Sequence, residues 1–106
     1  KAGGAGSSTE AHRVRALGGI GYTERKLGHL REAEAAWLQA LELRPTADLH
    51  FLVAQFYRDT QQAAAAHQHI VRAIELAPER YREEGHRLTE ELMTSHFGCA
   101  AVWSAN

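Results

Sequence analysis

The sequence predicts an all-α fold, an α–α solenoid built from helix–turn–helix hairpins, and two observations carry that prediction. The first is an internal repeat. The stretch Glu32–Pro45 (Glu-Ala-Glu-Ala-Ala-Trp-Leu-Gln-Ala-Leu-Glu-Leu-Arg-Pro) returns 33 residues later. Ala33 comes back as Ala66, Trp37 as Ile70, Ala40 as Ala73 and Leu41 as Ile74, while Glu42, Leu43 and Pro45 come back as Glu75, Leu76 and Pro78. A period of this size marks stacked copies of one supersecondary unit. The second is the hydrophobic spacing. Apolar residues recur three and four apart, and no segment alternates with the period of two that a half-buried strand needs.

Composition bounds the reading. The chain has 106 residues, enough for one small domain, and 44% apolar with 24% charged residues suits a globular rather than a disordered chain. A formal charge of -1 supplies no argument for nucleic acid or for an anionic membrane surface. No apolar run approaches the roughly 20 residues that span a bilayer. The single cysteine, Cys99, excludes an internal disulfide and fits a reducing, cytoplasmic compartment. The chain does not begin with Met and reads as a processed fragment, so the absence of a signal peptide from it does not fix the compartment.

The elements follow in order. Residues 1–8 are Gly-rich and lack large apolar side chains, which predicts a flexible leader. Ser7-Ser8-Thr9-Glu10 has capping-box spacing, so a first helix is expected to start near Thr9. Val14, Leu17, Ile20 and Leu27 fall on one of its faces. Gly18, Gly19 and Gly21 lie inside it at about 1 kcal/mol each against Ala, a cost usually explained by close approach of another backbone. Gly28 is placed to stop the helix in a left-handed conformation. A second helix, about 30–43, would bury Leu30, Ala33, Trp37, Ala40 and Leu41 until Pro45 ends it. Thr46 can cap a third helix, about 47–59, with Leu49, Leu52, Val53, Phe56 and Tyr57 as its apolar stripe. Thr60-Gln61 is the turn into a fourth helix, about 62–76, with Ala63, Ala66, Ile70, Ala73 and Ile74 inward. A fifth, about 79–97, puts Tyr81, Gly85, Leu88 and Leu92 on one face and charges opposite, with Gly98 as its stop and an apolar tail over 98–106. Connections of a few residues force neighbouring helices to lie antiparallel.

These residues resemble the tetratricopeptide-repeat family, whose unit of about 34 residues reads W-x2-L-G-x2-Y, then A-x3-F, then P. The first unit, 14–46, reads Leu17-x2-Ile20-Gly21-x2-Glu24, then Ala33-x3-Trp37, then Ala40 and Pro45. The second, 47–79, reads His50-x2-Val53-Ala54-x2-Tyr57, then Ala66-x3-Ile70, then Ala73 and Pro78. Glu24 departs from the family's Tyr, and His50 from its large apolar residue. The resemblance implies that Gly21/Ala54 and Ala33/Ala66 lie where the helices of a hairpin cross, and that Trp37 and Ile70 fill the gap between hairpins. The helix over 80–97 resembles the solvating cap of such arrays.

The resemblance also implies a function: a non-catalytic protein-interaction module that binds a peptide or partner protein in the concave groove lined by the first helix of each hairpin. Carried onto this chain, the groove residues are Arg15, Gly18, Tyr22 and Arg25 from the first unit, with Phe51, Gln55 and Arg58 from the second. Tyr22 and Phe51 would anchor the partner, and Arg25 and Arg58, one repeat apart, would stack as a cationic ladder selecting acidic or carbonyl-rich partners. The competing reading is that the aromatics pack on neighbouring helices and the arginines are solvated. The Lys and Asn that hold a terminal carboxylate in chaperone-binding members are replaced here by Gly18, Tyr22, Phe51 and Gln55, so no carboxylate clamp is expected. Two alternatives belong to other classes: a structural segment of a longer array or a self-associating domain, and an accessory domain of a larger enzyme.

No enzyme, cofactor or metal site is expected. His67 and His69 are two apart and point to different faces of a helix, and His12, His29, His50, His86 and His96 are scattered. Cys99 near His96 lacks a third orienting group. Glu83-Glu84 and Glu90-Glu91 read as a solvated face. Gly18-Gly19-Ile20-Gly21 has neither the preceding strand nor the Lys-Ser/Thr ending of a phosphate loop. The apolar tail around Trp103 is expected either to dock, on its own solenoid or on a neighbour, or to be a disordered end or the stump of a further helix.

Overall fold

A computed structural model describes the backbone of residues 2–105 and the side chains of residues 9–94. Its elements are α1 (Ala2–Lys26), α2 (Leu30–Leu43), α3 (Ala47–Asp59), α4 (Ala63–Leu76) and α5 (Pro78–Ala105), with no strand among the described residues. The middle three agree with the spans read from the sequence. The outer two run further. α1 begins at Ala2 rather than near Thr9, so the segment expected to be a flexible leader is helical and Ser7-Ser8-Thr9-Glu10 lies inside the helix. Extending an existing helix fixes one residue per new hydrogen bond and avoids the cost of nucleation, which lets a Gly-rich segment follow. α5 likewise continues through Gly98 to Ala105. A glycine weakens a helix interior by about 1 kcal/mol but ends it only by turning left-handed. The side chains of His96, Cys99, Val102 and Trp103 lie outside the described residues.

The chain divides into two compact units, residues 1–49 and 50–106. In the first, α1 and α2 form an antiparallel hairpin. Three contacts along it fix the direction: Glu24 with His29 at 2.6 Å by the turn, Gly21 against Trp37 in the middle, and Glu10 with Arg44 at 3.8 Å far from the turn. The turn is a Schellman cap. Gly28 takes φ +85°, its N–H donates to the Arg25 carbonyl at 3.0 Å, and the His29 N–H donates to the Glu24 carbonyl at 2.8 Å. α2 buries Ala33, Ala36, Trp37, Ala40 and Leu41. Gly21 is buried directly against Trp37: a Cβ there would lie 2.5 Å from the indole Nε1. Close approach therefore explains Gly21, but Gly18 and Gly19 have open space where a Cβ would be. Ile20 and Leu27 stay 48% and 64% exposed, and Leu30 is exposed too, so the expected apolar faces of α1 and α2 are wrong at these positions. At 100° per residue the line facing α2 runs through Leu17, Gly21 and Glu24, one position off Ile20.

The second unit holds α4, α5 and α3 from His50 onward. Thr46, just before α3, caps its start by accepting a hydrogen bond from the Leu49 N–H at 3.1 Å. The turn into α4 repeats the geometry at Gly28 with a different residue. Gln61 takes φ +62°, its N–H donates to the Arg58 carbonyl at 3.0 Å, and the Gln62 N–H donates to the Tyr57 carbonyl at 2.8 Å. Pro78, expected only as a terminator of α4, is also the first residue of α5, where its missing N–H costs nothing. The core of this unit is Val53, Ala54, Phe56, Tyr57, Ala66, Ile70, Ala73, Tyr81, Leu88 and Leu92, while Leu52, Ala63 and Ile74, also expected inward, are half-buried. Gly85 is buried against Ile74 and Ile70, so α4 and α5 approach closely there. Phe51 meets Tyr81 and Arg58 meets Glu91, so α3 and α5 run in the same direction.

Candidate functional site

The residues expected to line a groove fall on α1 and α3. On α1, Arg15 and Tyr22 are two turns apart and exposed, and Tyr22 is 55% exposed. The Lys26 ammonium sits over the Tyr22 ring at 5.1 Å from its centroid, an i,i+4 cation–π contact that holds the ring in place and leaves one face to solvent. Arg25 is half-buried. This helix thus presents an aromatic surface flanked by Arg15 and Lys26.

On α3 the expected residues are partly engaged by α5. Phe51 stacks on Tyr81 with ring centroids 4.7 Å apart and planes inclined by 26°. Arg58 donates from Nη1 to Glu91 Oε1 and from Nε to Asp59 Oδ1, both at 2.9 Å. Gln55, between them in sequence, is half-buried. Phe51 therefore packs on a neighbouring helix, as the competing reading held, and the Arg58 charge is balanced by two carboxylates.

The histidines gather in one place that sequence reasoning missed. His67 is exposed, but His69 reaches across to α3, where its Nδ1 lies 2.9 Å from Nδ1 of the buried His50. Their ring centroids are 5.1 Å apart, and Tyr57 stacks on His69 at 5.5 Å. Burial, then repulsion from His69, then the Arg72 charge hold His50 below its ordinary pKa, and burial does the same to His69. A nearby guanidinium and only two rings make a poor cation site. Among the described residues no group of three or more His, Cys, Asp or Glu side chains is placed to hold a metal. The repeat period carried a signal for this pair: His50 and His69 stand 33 residues after Leu17 and Ala36. Of the paired carboxylates, Glu83, Glu84, Glu90 and Glu91 are all exposed, and Glu91 serves Arg58. Among the described residues no helix is long and apolar enough to cross a membrane.

Comparison with known proteins agrees with the repeat. Residues 14–46 match the family model described as tetratricopeptide repeat. Neither the curated proteins nor the solved structures give a match to the chain. Proteins built from this repeat generally mediate protein–protein interaction and are typically non-catalytic. The matched segment takes in the second half of α1, the Schellman turn and α2 with the small residues packed at their crossing, and on that ground residues 14–46 form a tetratricopeptide repeat.

Proposed function

We propose that the chain is a non-catalytic interaction module that binds a peptide or partner protein through the face of α1 carrying Arg15, Tyr22 and Arg25. The observation that carries this reading is the exposure of Tyr22 on the first helix of the matched repeat, with its ring steadied by Lys26. Aromatic side chains with few torsions and cationic neighbours are favoured at interface centres. Cations around the ring favour an acidic partner segment. Of the residues expected from α3, Phe51, Gln55 and Arg58, the first and last already have partners on α5.

The test is capture of partners from source lysate on the immobilised chain, compared with Tyr22→Ala and with Arg15→Glu/Arg25→Glu. Loss of the same prey in both variants, with unchanged melting temperature, supports the reading. Prey retained by both removes it. A second reading, self-association or a place in a longer array, draws on the exposure of Ile20, Leu27 and Leu30 in the first unit. Light scattering across a dilution series separates the two, since an interaction module stays monomeric and a self-associating segment does not.

A further inference from the structure

We propose that the seam between α3 and α4 is an acid-sensitive latch, in which His50 and His69 join the helices by a ring-to-ring hydrogen bond that exists only while at least one ring is neutral. A fall in pH then opens this hairpin. The inference does not depend on which partner the chain binds.

The geometry supplies the mechanism. Nδ1 of His50 and Nδ1 of His69 are 2.9 Å apart, so one must donate and the other accept. In the neutral pair one ring carries its proton on Nδ1, and the other carries its proton on Nε2 and accepts at Nδ1. A first added proton makes one ring cationic and leaves the bond intact, with the cation donating. A second added proton puts hydrogen on both facing nitrogens. No acceptor remains, and two positive rings confront each other. The surroundings offer no relief. His50 is 8% exposed, and His69 lies between His50 and the Tyr57 ring of α3. Among the described residues, Arg72 of α4 is the fixed charge acting on His50, and neither ring meets a carboxylate.

The sign follows. Both imidazoles are held below their ordinary value of 6.5 in the folded chain, His50 by burial, His69 and Arg72, and His69 by burial. The folded seam therefore binds fewer protons than the unfolded one. Its contribution to stability is complete above the unfolded value of 6.5 and is lost as pH falls below that and through the lowered folded values. Because the two sites interact, the pair titrates as a unit, and its repulsion belongs to both rings. The chain carries its own control. Leu17 and Ala36, 33 residues earlier, occupy the equivalent positions of the first repeat, and neither can titrate.

The experiment uses the full chain and its His50→Leu/His69→Ala variant, which copies the first repeat's residues. Melting is followed between pH 7.5 and 5. The wild-type folding constant is expected to fall by up to about a hundredfold per pH unit where two protons are excluded, and the variant's to fall at least about tenfold less. Parallel pH dependences in the two chains would overturn the proposal. If the variant does not fold, nitrogen NMR of the wild-type imidazoles decides. A through-bond coupling between two Nδ1 atoms at pH 7.5 that vanishes on acidification, together with early amide exchange across 63–70, supports the latch. Seven histidines titrating independently at or above 6.5 overturn it.

Discussion

Gly21 and Trp37 occupy the same space: a Cβ on residue 21 would sit 2.5 Å from the indole Nε1 and 2.6 Å from Cε2. The indole is rigid and completely buried, so it cannot yield by turning a side-chain tip aside. Gly21→Ala is therefore expected to destabilise the chain by about 2 kcal/mol, within the usual range for overpacking. Gly19 lies on the same helix, exposed, with nothing within 4 Å of its missing Cβ. Gly19→Ala should stabilise by about 0.5–1 kcal/mol through helix propensity alone. Thermal denaturation of the two variants checks both, and opposite signs from the same chemical change two residues apart on one helix isolate packing from backbone entropy. Trp37→Phe in the Gly21→Ala background should recover part of the loss, because it removes the ring atoms that the new methyl meets.

Gln61 stands 33 residues after Gly28 and adopts the same left-handed backbone, φ +62° against +85°, with the same pair of capping hydrogen bonds. A glycine takes this conformation without steric cost, whereas an L side chain pays about 1 kcal/mol for it. Gln61→Gly should raise stability by roughly 0.5–1 kcal/mol, the remainder being offset by the greater freedom of glycine in the unfolded chain. Denaturant titration at constant slope measures it. An unchanged or lowered midpoint would mean that the Gln61 side chain stabilises the turn by means its backbone does not reveal.

Arg58 and Glu91 are also one period apart, and the α5 carboxylate meets the guanidinium that was expected to form a cationic ladder with Arg25. The guanidinium is shared with Asp59, and the Arg58 and Glu91 side chains are 33% and 55% exposed. An exposed pair of this kind couples by about 0.5 kcal/mol at low salt. A double-mutant cycle with Arg58→Ala and Glu91→Ala should return that value near 50 mM salt and a markedly smaller one near 1 M, where the screening length falls to about 3 Å. A cycle that returns no coupling at either salt would remove the ion pair as a link between α3 and α5.

The repeat made much of the fold legible. A 33-residue echo of alanines and prolines located α2 and α4, and the turn chemistry of Gly28 and the cap at Thr46 are local enough to read from single residues. What stayed hidden depends on which helix a side chain meets. Helical spacing puts Leu17, Ile20 and Leu27 on a common face, but only the rotation of α1 against α2 decides that Gly21 meets the indole and Leu27 does not. Arg58 looked like a free cation because the repeat match stops at Pro78, so nothing in the sequence aligned Glu91 with it. The His50–His69 contact was missed for the same reason: each ring was weighed against neighbours on its own helix, and the partner lies across the seam.

Tyr22 and Phe51 were expected to play the same part, and their surroundings separate them. Tyr22 is more than half exposed and its ring lies under the Lys26 ammonium, whereas Phe51 is half-buried and stacked on Tyr81. Removing the Tyr22 ring takes away little buried area, so Tyr22→Ala should change stability by no more than about 0.5 kcal/mol, as most surface substitutions do. Removing the Phe51 ring strips a stacked partner from α5 and part of an apolar surface, so Phe51→Ala should cost about 2 kcal/mol. Melting curves on both variants, read beside partner capture, sort the two roles. A residue used for recognition loses partner and keeps the melting temperature; a residue used for packing lowers the melting temperature first. If Tyr22→Ala lowers the melting temperature as much as Phe51→Ala does, the Tyr22 ring is holding the hairpin together, and the α1 face must find its anchor elsewhere.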